Sequence, residues 1–142
     1  MLVVDGKGHV LGRLASLVAK RLLQGERITI VNAEEVLITG KKPTILATYQ
    51  AWFRTRNLAN PRKGPFHYRR PDDLVRLTVR GMLPYHQEKG RKAYKRLRVH
   101  VGIPPELRGR ELTRFPEAEA EKLGRTRFIK VGELSKLLGA KF

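Results

Sequence analysis

Apolar residues along the chain fall into short runs and three-and-four spacings that outline its elements. Leu2-Val3-Val4 is an apolar run stopped by Gly6 and Gly8, the pattern of a buried strand entering a turn. Leu11, Leu14, Ala15, Val18 and Leu22 then share one helical face, with Arg13, Lys20, Arg21 and Gln24 opposite and Gly25 as the stop. Arg27-Ile28-Thr29-Ile30-Val31 is β-branched and closes at Asn32, a second strand. Strand, helix and strand within about 30 residues predict a βαβ unit, and with it a parallel sheet and a right-handed crossover.

Further along, a second helix is expected from Pro43, with Ile45, Tyr49, Trp52 and Phe53 on one face. Pro61, Gly64 and Pro65 mark an irregular loop from about Asn57 to Arg70. A third helix starts near Pro71, where Asp72 and Asp73 suit the positive end of the helix dipole. A fourth is expected from about Gln87. Leu97 to Val101 alternates like a half-buried strand and stops at Pro104-Pro105. Glu117, Glu119 and Glu121 read as a solvated helix rather than a metal site. Phe128 to Val131 reads as a strand or extended segment, and Leu134, Leu137 and Leu138 as a short last helix. With 142 residues, these elements are expected to form a single domain over 1–142.

Charge changes the picture. The chain carries 30 Lys and Arg against 13 Asp and Glu, a net +17. Residues 41–110 alone hold 18 of those cations and 4 of the acids, whereas the segments on either side are close to balanced. A concentrated excess of this kind calls for a polyanionic partner, because uncompensated self-repulsion works against a compact state. The absence of cysteine excludes thiol chemistry and disulfide scaffolds and fits a reducing compartment. No apolar run approaches the ~20 residues of a membrane span, and MLVVDGKG lacks the succession of a secretory signal, so a cytoplasmic protein is expected.

Candidate chemistry lies mostly in the basic middle. Lys41-Lys42 precedes a helix start and suits a phosphate contact, although two lysines at a helix entry are also ordinary solvated residues. Arg54 to Arg70 interleaves Arg54, Arg56, Arg62, Lys63, Arg69 and Arg70 with Phe66, His67 and Tyr68. Guanidinium groups grip phosphates and aromatic planes stack on splayed bases. The competing reading is a surface loop whose aromatics tuck back onto the core. On the third helix, Asp72 and Arg76 are spaced as a surface ion pair, leaving Arg80 for phosphate. Lys89, Arg91, Lys92, Lys95, Arg96 and Arg98 bring six cations and no acid to ten residues, with Tyr94 among them for stacking. Like charges at i,i+4 would repel there unless a phosphate backbone screened them.

Catalytic signatures are thin. Gly6-x-Gly8-x-x-x-Gly12 follows a strand and opens a helix, but its spacing departs from the dinucleotide fingerprint, and Asn32 stands where a ribose-binding acid would be expected. A tight structural turn is the favoured reading. His9, His67, His86 and His100 show no metal spacing, and no nucleophile elbow or phosphate-loop signature occurs. No catalytic residue, cofactor or metal is expected.

Four stretches, in order, resemble the large-subunit ribosomal protein thirteen family: His9-Val-Leu-Gly-Arg13-Leu-Ala-Ser16, Val31-Asn-Ala-Glu34, Thr39-Gly-Lys-Lys42, and Arg80-Gly-Met-Leu-Pro84 running on through Lys95-Arg96-Leu97 to Gly102. Gly102-Ile-Pro-Pro105 and the loop RKGPFHYRRPDD resemble the archaeal and eukaryotic branch, with the archaeal form favoured. The resemblance implies an α/β fold of three layers (α/β/α) around a short, mainly parallel sheet. It also implies a structural, non-enzymatic role in the large ribosomal subunit, supporting assembly by binding ribosomal RNA. Expected partners are large-subunit ribosomal RNA and neighbouring ribosomal proteins, with no membrane, small-molecule substrate or homo-oligomer. Two other readings remain at this level: a nucleotide-binding enzyme using the Gly6–Gly12 turn, and a DNA-compacting protein that the charge alone permits.

Overall fold

A computed structural model describes residues 1–55, 58–60, 67–124 and 127–142. The βαβ unit is present: β1 (Leu2–Asp5), α1 (Leu11–Leu23) and β2 (Ile28–Val31). β3 (Leu37–Thr39), α2 (Lys42–Arg54), α3 (Pro71–Gly81), α4 (Glu88–Lys95), β4 (Leu97–Val99), β5 (Phe128–Lys130) and α5 (Val131–Leu137) follow, with 3₁₀ turns at Ala33–Glu35, Pro105–Leu107 and Pro116–Ala118.

β1, β2 and β4 form a parallel sheet in that spatial order, with Leu2 beside Ile28 and Ile28 beside Leu97. This register sends Val4, Ile28, Ile30, Leu97 and Val99 to one face, into the main core. α1 meets that core with Leu11, Leu14, Ala15, Val18, Ala19 and Leu22, and α3 with Leu74, Val75 and Val79. β2 is central and buried throughout, which is why its sequence is β-branched rather than alternating. The other face carries Val3, Thr29, Val31 and Arg98. There the third layer is an irregular segment, with Ile103, Leu107 and Leu112 packed on Val3 and Val31.

β3, a strand the apolar pattern does not separate from its surroundings, pairs antiparallel with β5 through Ile38 and Ile129. With α5 it builds a smaller core of Ile45, Ile129 and Leu134. Of the four apolar residues expected on the inner face of α2, only Ile45 is buried.

Residues 113–120 return across the free edge of β1. Thr113 N–H donates to the Val3 carbonyl (2.8 Å), and its own carbonyl accepts from Asp5 N–H (3.1 Å). Val10 N–H donates to Ala118 (2.8 Å) and Ala120 N–H to Gly8 (3.0 Å). An exposed strand edge is thereby covered by the chain's own backbone. The expected solvated helix at 117–121 is consequently a 3₁₀ turn leading into backbone pairing, and Glu119 faces Arg114 rather than open water. No helix among the described residues is long and apolar enough to cross a membrane.

Candidate nucleic-acid interface

The Gly6–Gly12 turn is accounted for by packing. A Cβ on Gly6 would meet Val36 Cγ2 at 2.7 Å and the Val31 carbonyl at 3.0 Å, so β1 can end against the 31–36 segment only without a side chain. Gly8 has φ +78°, a conformation that L side chains rarely adopt. The strand ends where a dinucleotide would lie are filled from within. Asn32 Nδ2 donates to the Asp5 carboxylate (3.0 Å), and Gly102 N–H donates to Glu34 Oε2 (2.8 Å). His9, fully buried, accepts the Phe115 N–H at Nε2 (3.0 Å), which leaves the ring proton on Nδ1. Burial first, and Arg114 second, hold its pKa below the ordinary histidine value. This histidine fastens the returning segment and has no open face for catalysis. Among the described residues, no group of three His, Asp or Glu is arranged to hold a metal ion.

The expected contact residues fall into three groupings. At the start of α2, Lys41 and Lys42 line a shallow depression with Arg127 and Phe128. Lys42 also pairs with Glu133 of α5, which leaves Lys41 as the freer cation. At the other end of α2, Arg54 is exposed. Arg56, Arg62, Lys63 and Phe66 lie outside the described residues.

A second grouping joins α3, the 82–87 turn and α4. The Arg80 guanidinium sits over the Tyr85 ring (4.0 Å), and Tyr85 meets Tyr94 edge-on (5.7 Å between centroids). Arg76 and Arg80 are near enough to pull down the Tyr94 hydroxyl pKa, but burial dominates and raises it. Tyr68 is close by and exposed. The expected Asp72–Arg76 pair is not formed. Asp72 meets Arg70 (3.3 Å) and Arg76 pairs with Asp73 at i,i+3, the other spacing that brings two side chains together on a helix.

A third grouping lies where β2 and β4 begin. Arg27 and Arg96 are neighbours there, since Ile28 N–H donates to the Arg96 carbonyl (3.2 Å), and Lys95 and Arg98 flank them. The expected repulsion along α4 is partly relieved by the fold. Lys92 reaches Glu88 (3.2 Å), and Arg91 turns back to the His86 carbonyl (3.1 Å). Arg96 leaves the α4 surface to donate to the Leu22 carbonyl at the end of α1 (2.6 Å), a second donor beside Gly25 N–H (3.1 Å). Lys89 and Lys95 make no ion pair or hydrogen bond through their side chains among the described residues.

His67, expected as a stacking residue, is spent on α2. Its ring lies edge-on to Trp52 (4.7 Å) and close to Phe53 (5.4 Å), and its Nε2–H donates to the Thr55 carbonyl (2.7 Å). Arg69 likewise covers Phe53 (4.9 Å) and donates to the Leu138 carbonyl (2.9 Å). The loop's described C-terminal end therefore packs on α2 and α5. Arg27, Tyr85 and Arg127 join these groupings only in the structure and were not among the residues expected from the sequence. Arg27 was detectable in principle, because pairing β2 with β4 in parallel sets it next to Arg96; nothing local to Arg127 distinguishes it.

Comparison with known proteins identifies the family. The family model described as ribosomal protein L13 matches residues 1–106. The "Large ribosomal subunit protein uL13" of Methanosphaera stadtmanae is 52% identical over 141 residues, covering 99% of this chain and 98% of its own length. Its counterpart in Methanocaldococcus jannaschii is 53% identical over 143 residues, with both chains fully covered. That of Archaeoglobus fulgidus is 45% identical over 138 residues, covering 96% of this chain and 86% of its own.

Proposed function

The chain belongs to the ribosomal protein L13 family, in its archaeal branch, and from that premise we propose that it binds large-subunit ribosomal RNA through its basic middle segment. It is a structural protein of the large ribosomal subunit in the cytoplasm, not an enzyme. RNA binding would hold neighbouring RNA segments together as the subunit assembles. The observation that carries the reading is the imbalance over 41–110, where 18 cations face 4 acids and, among the described residues, only Lys42, Arg70, Arg76 and Lys92 pair with a carboxylate. Lys41, Arg54, Lys89 and Lys95 are exposed with no acidic partner among the described residues, so their field is directed outward. The arrangement favours folded RNA over duplex DNA: it sets cations beside Tyr68, Tyr85 and Tyr94, aromatic planes suited to stacking on unpaired bases.

Six to ten phosphate contacts would make affinity for the large-subunit ribosomal RNA fall roughly 10³–10⁵-fold between 50 and 200 mM salt. Filter binding across that range tests the reading. A flat response, or preference for duplex DNA in direct competition, would overturn it.

A further inference from the structure

In open parallel sheets, ligands usually sit beyond the carboxyl ends of the strands. Here those ends are closed by Asn32, Glu34 and Gly102. The opposite edge is open. A cavity of about 370 Å³ lies there, lined by Met1, Arg27, Thr29, Lys95, Arg96 and Arg98. Four of these six residues are cations and none is an acid. The nearest carboxylate in sequence, Glu26, pairs with Arg21 (3.5 Å).

The lining is partly built and partly uncommitted. Arg98 is anchored by one terminal nitrogen, Nη1, which donates to the Lys95 and Leu97 carbonyls (3.0 and 3.1 Å). This leaves its other donors unassigned. Arg96 is fixed by Leu22, and its Nε is buried without a partner. Thr29, 3% exposed, offers its hydroxyl to Met1 Sδ (3.3 Å), an acceptor weak enough to give way to an oxygen anion. Arg27 and Lys95 have no side-chain partner among the described residues. Four cations around one concavity repel each other until an anion enters, and guanidinium donors suit tetrahedral phosphate oxygens.

We infer that this cavity is a phosphate-binding pocket that grips one phosphodiester group of an RNA strand. It lies at the amino-terminal ends of β2 and β4, where α4 runs into β4, and takes in Thr29 and Arg98 from the sheet face turned away from the main core. An RNA contact here would be a second point of attachment beside the Arg80–Tyr85–Tyr94 grouping. The choice of RNA as the source of the phosphate rests on the RNA-binding reading above; the pocket's chemistry does not.

The test uses the full chain with Arg27→Gln and Lys95→Gln, both exposed positions, and Glu106→Gln as a remote control. The probes are the large-subunit ribosomal RNA, and separately inorganic phosphate and ribose 5-phosphate followed by the amide resonances of Thr29 and Arg98. Each pocket variant is expected to weaken RNA binding about three- to tenfold and to lower the salt slope by about one, with the control unchanged. If wild type binds RNA and both pocket variants match it in affinity and slope, the pocket is overturned while RNA binding stands. If wild type fails to bind RNA but free phosphate saturably shifts Thr29 and Arg27→Gln abolishes the shift, the pocket stands and RNA is overturned as its source. Failure of both probes overturns both readings.

Discussion

At Gly90 one absent methyl group decides whether α4 can pass over the turn before it. A Cβ there would lie 2.0 Å from the Pro84 carbonyl oxygen and 2.9 Å from the Tyr85 nitrogen, all backbone atoms that cannot rotate away. Gly90→Ala should therefore cost at least about 2 kcal/mol, read as a lowered urea midpoint at constant slope. Gly12, by contrast, has nothing within 4 Å of its absent Cβ and sits exposed in α1. Gly12→Ala should leave stability unchanged or raise it by up to about 1 kcal/mol; equal losses at both glycines would refute the packing account. His9 makes a prediction in pH. Its folded-state pKa is depressed by burial and by Arg114, with Asp5 and Glu119 opposing, so the native state prefers the neutral ring. The unfolded chain then binds more protons below 6.5, and stability falls as pH drops from 6.5 toward the depressed native value. His9→Gln should remove that part of the slope in wild-type-minus-variant urea midpoints; an unchanged slope would exclude His9 as its origin.

Among the elements, α1 was legible because its apolar face is wide and regular, and α3 because Pro71 and two aspartates announce its start. β3 was not, because a three-residue strand carries no period of its own and exists through its partner β5, some 90 residues away. The inner face of α2 was only partly correct, since its aromatics meet His67 and Arg69 instead of the main core. Arg96 shows the same limit for the interface: a cation within a basic run also serves as an anchor for the end of α1. Arg96→Met should lower stability by about 0.5–1.5 kcal/mol by removing one hydrogen bond from the Leu22 carbonyl, which keeps its bond from Gly25 N–H (3.1 Å), measurable by chemical denaturation. A variant as stable as wild type would mean the contact is dispensable. Deleting residues 57–70 should reduce RNA affinity at least tenfold at 100 mM salt, through lost phosphate contacts, and lower the melting temperature by only a few degrees. Unfolding, or unaltered affinity, would contradict the division between platform and binding loop.

For the whole molecule, the part that matches the family model, residues 1–106, is not self-sufficient. The remaining segment supplies Phe115, Ala118 and Val131 to the main core, Leu107 to the second face of the sheet, and the backbone that covers β1. A fragment of residues 1–106 should lack a cooperative thermal transition by calorimetry, and a sharp transition near the full-length temperature would disprove this. The family itself was readable from four short motifs, as were the parallel βαβ start and the concentration of positive charge. These depend on local residue types and spacing, which a linear chain displays directly. Which cations would share a surface was not readable. Arg27 and Arg98 are separated by 71 positions in sequence and meet only through the register of β2 on β4, while Arg96 and Arg69 bend back to carbonyls that only packing brings within reach. Charge content and element type are properties of sequence; the division of cations between anchoring and binding is decided where distant backbone groups come within hydrogen-bonding reach.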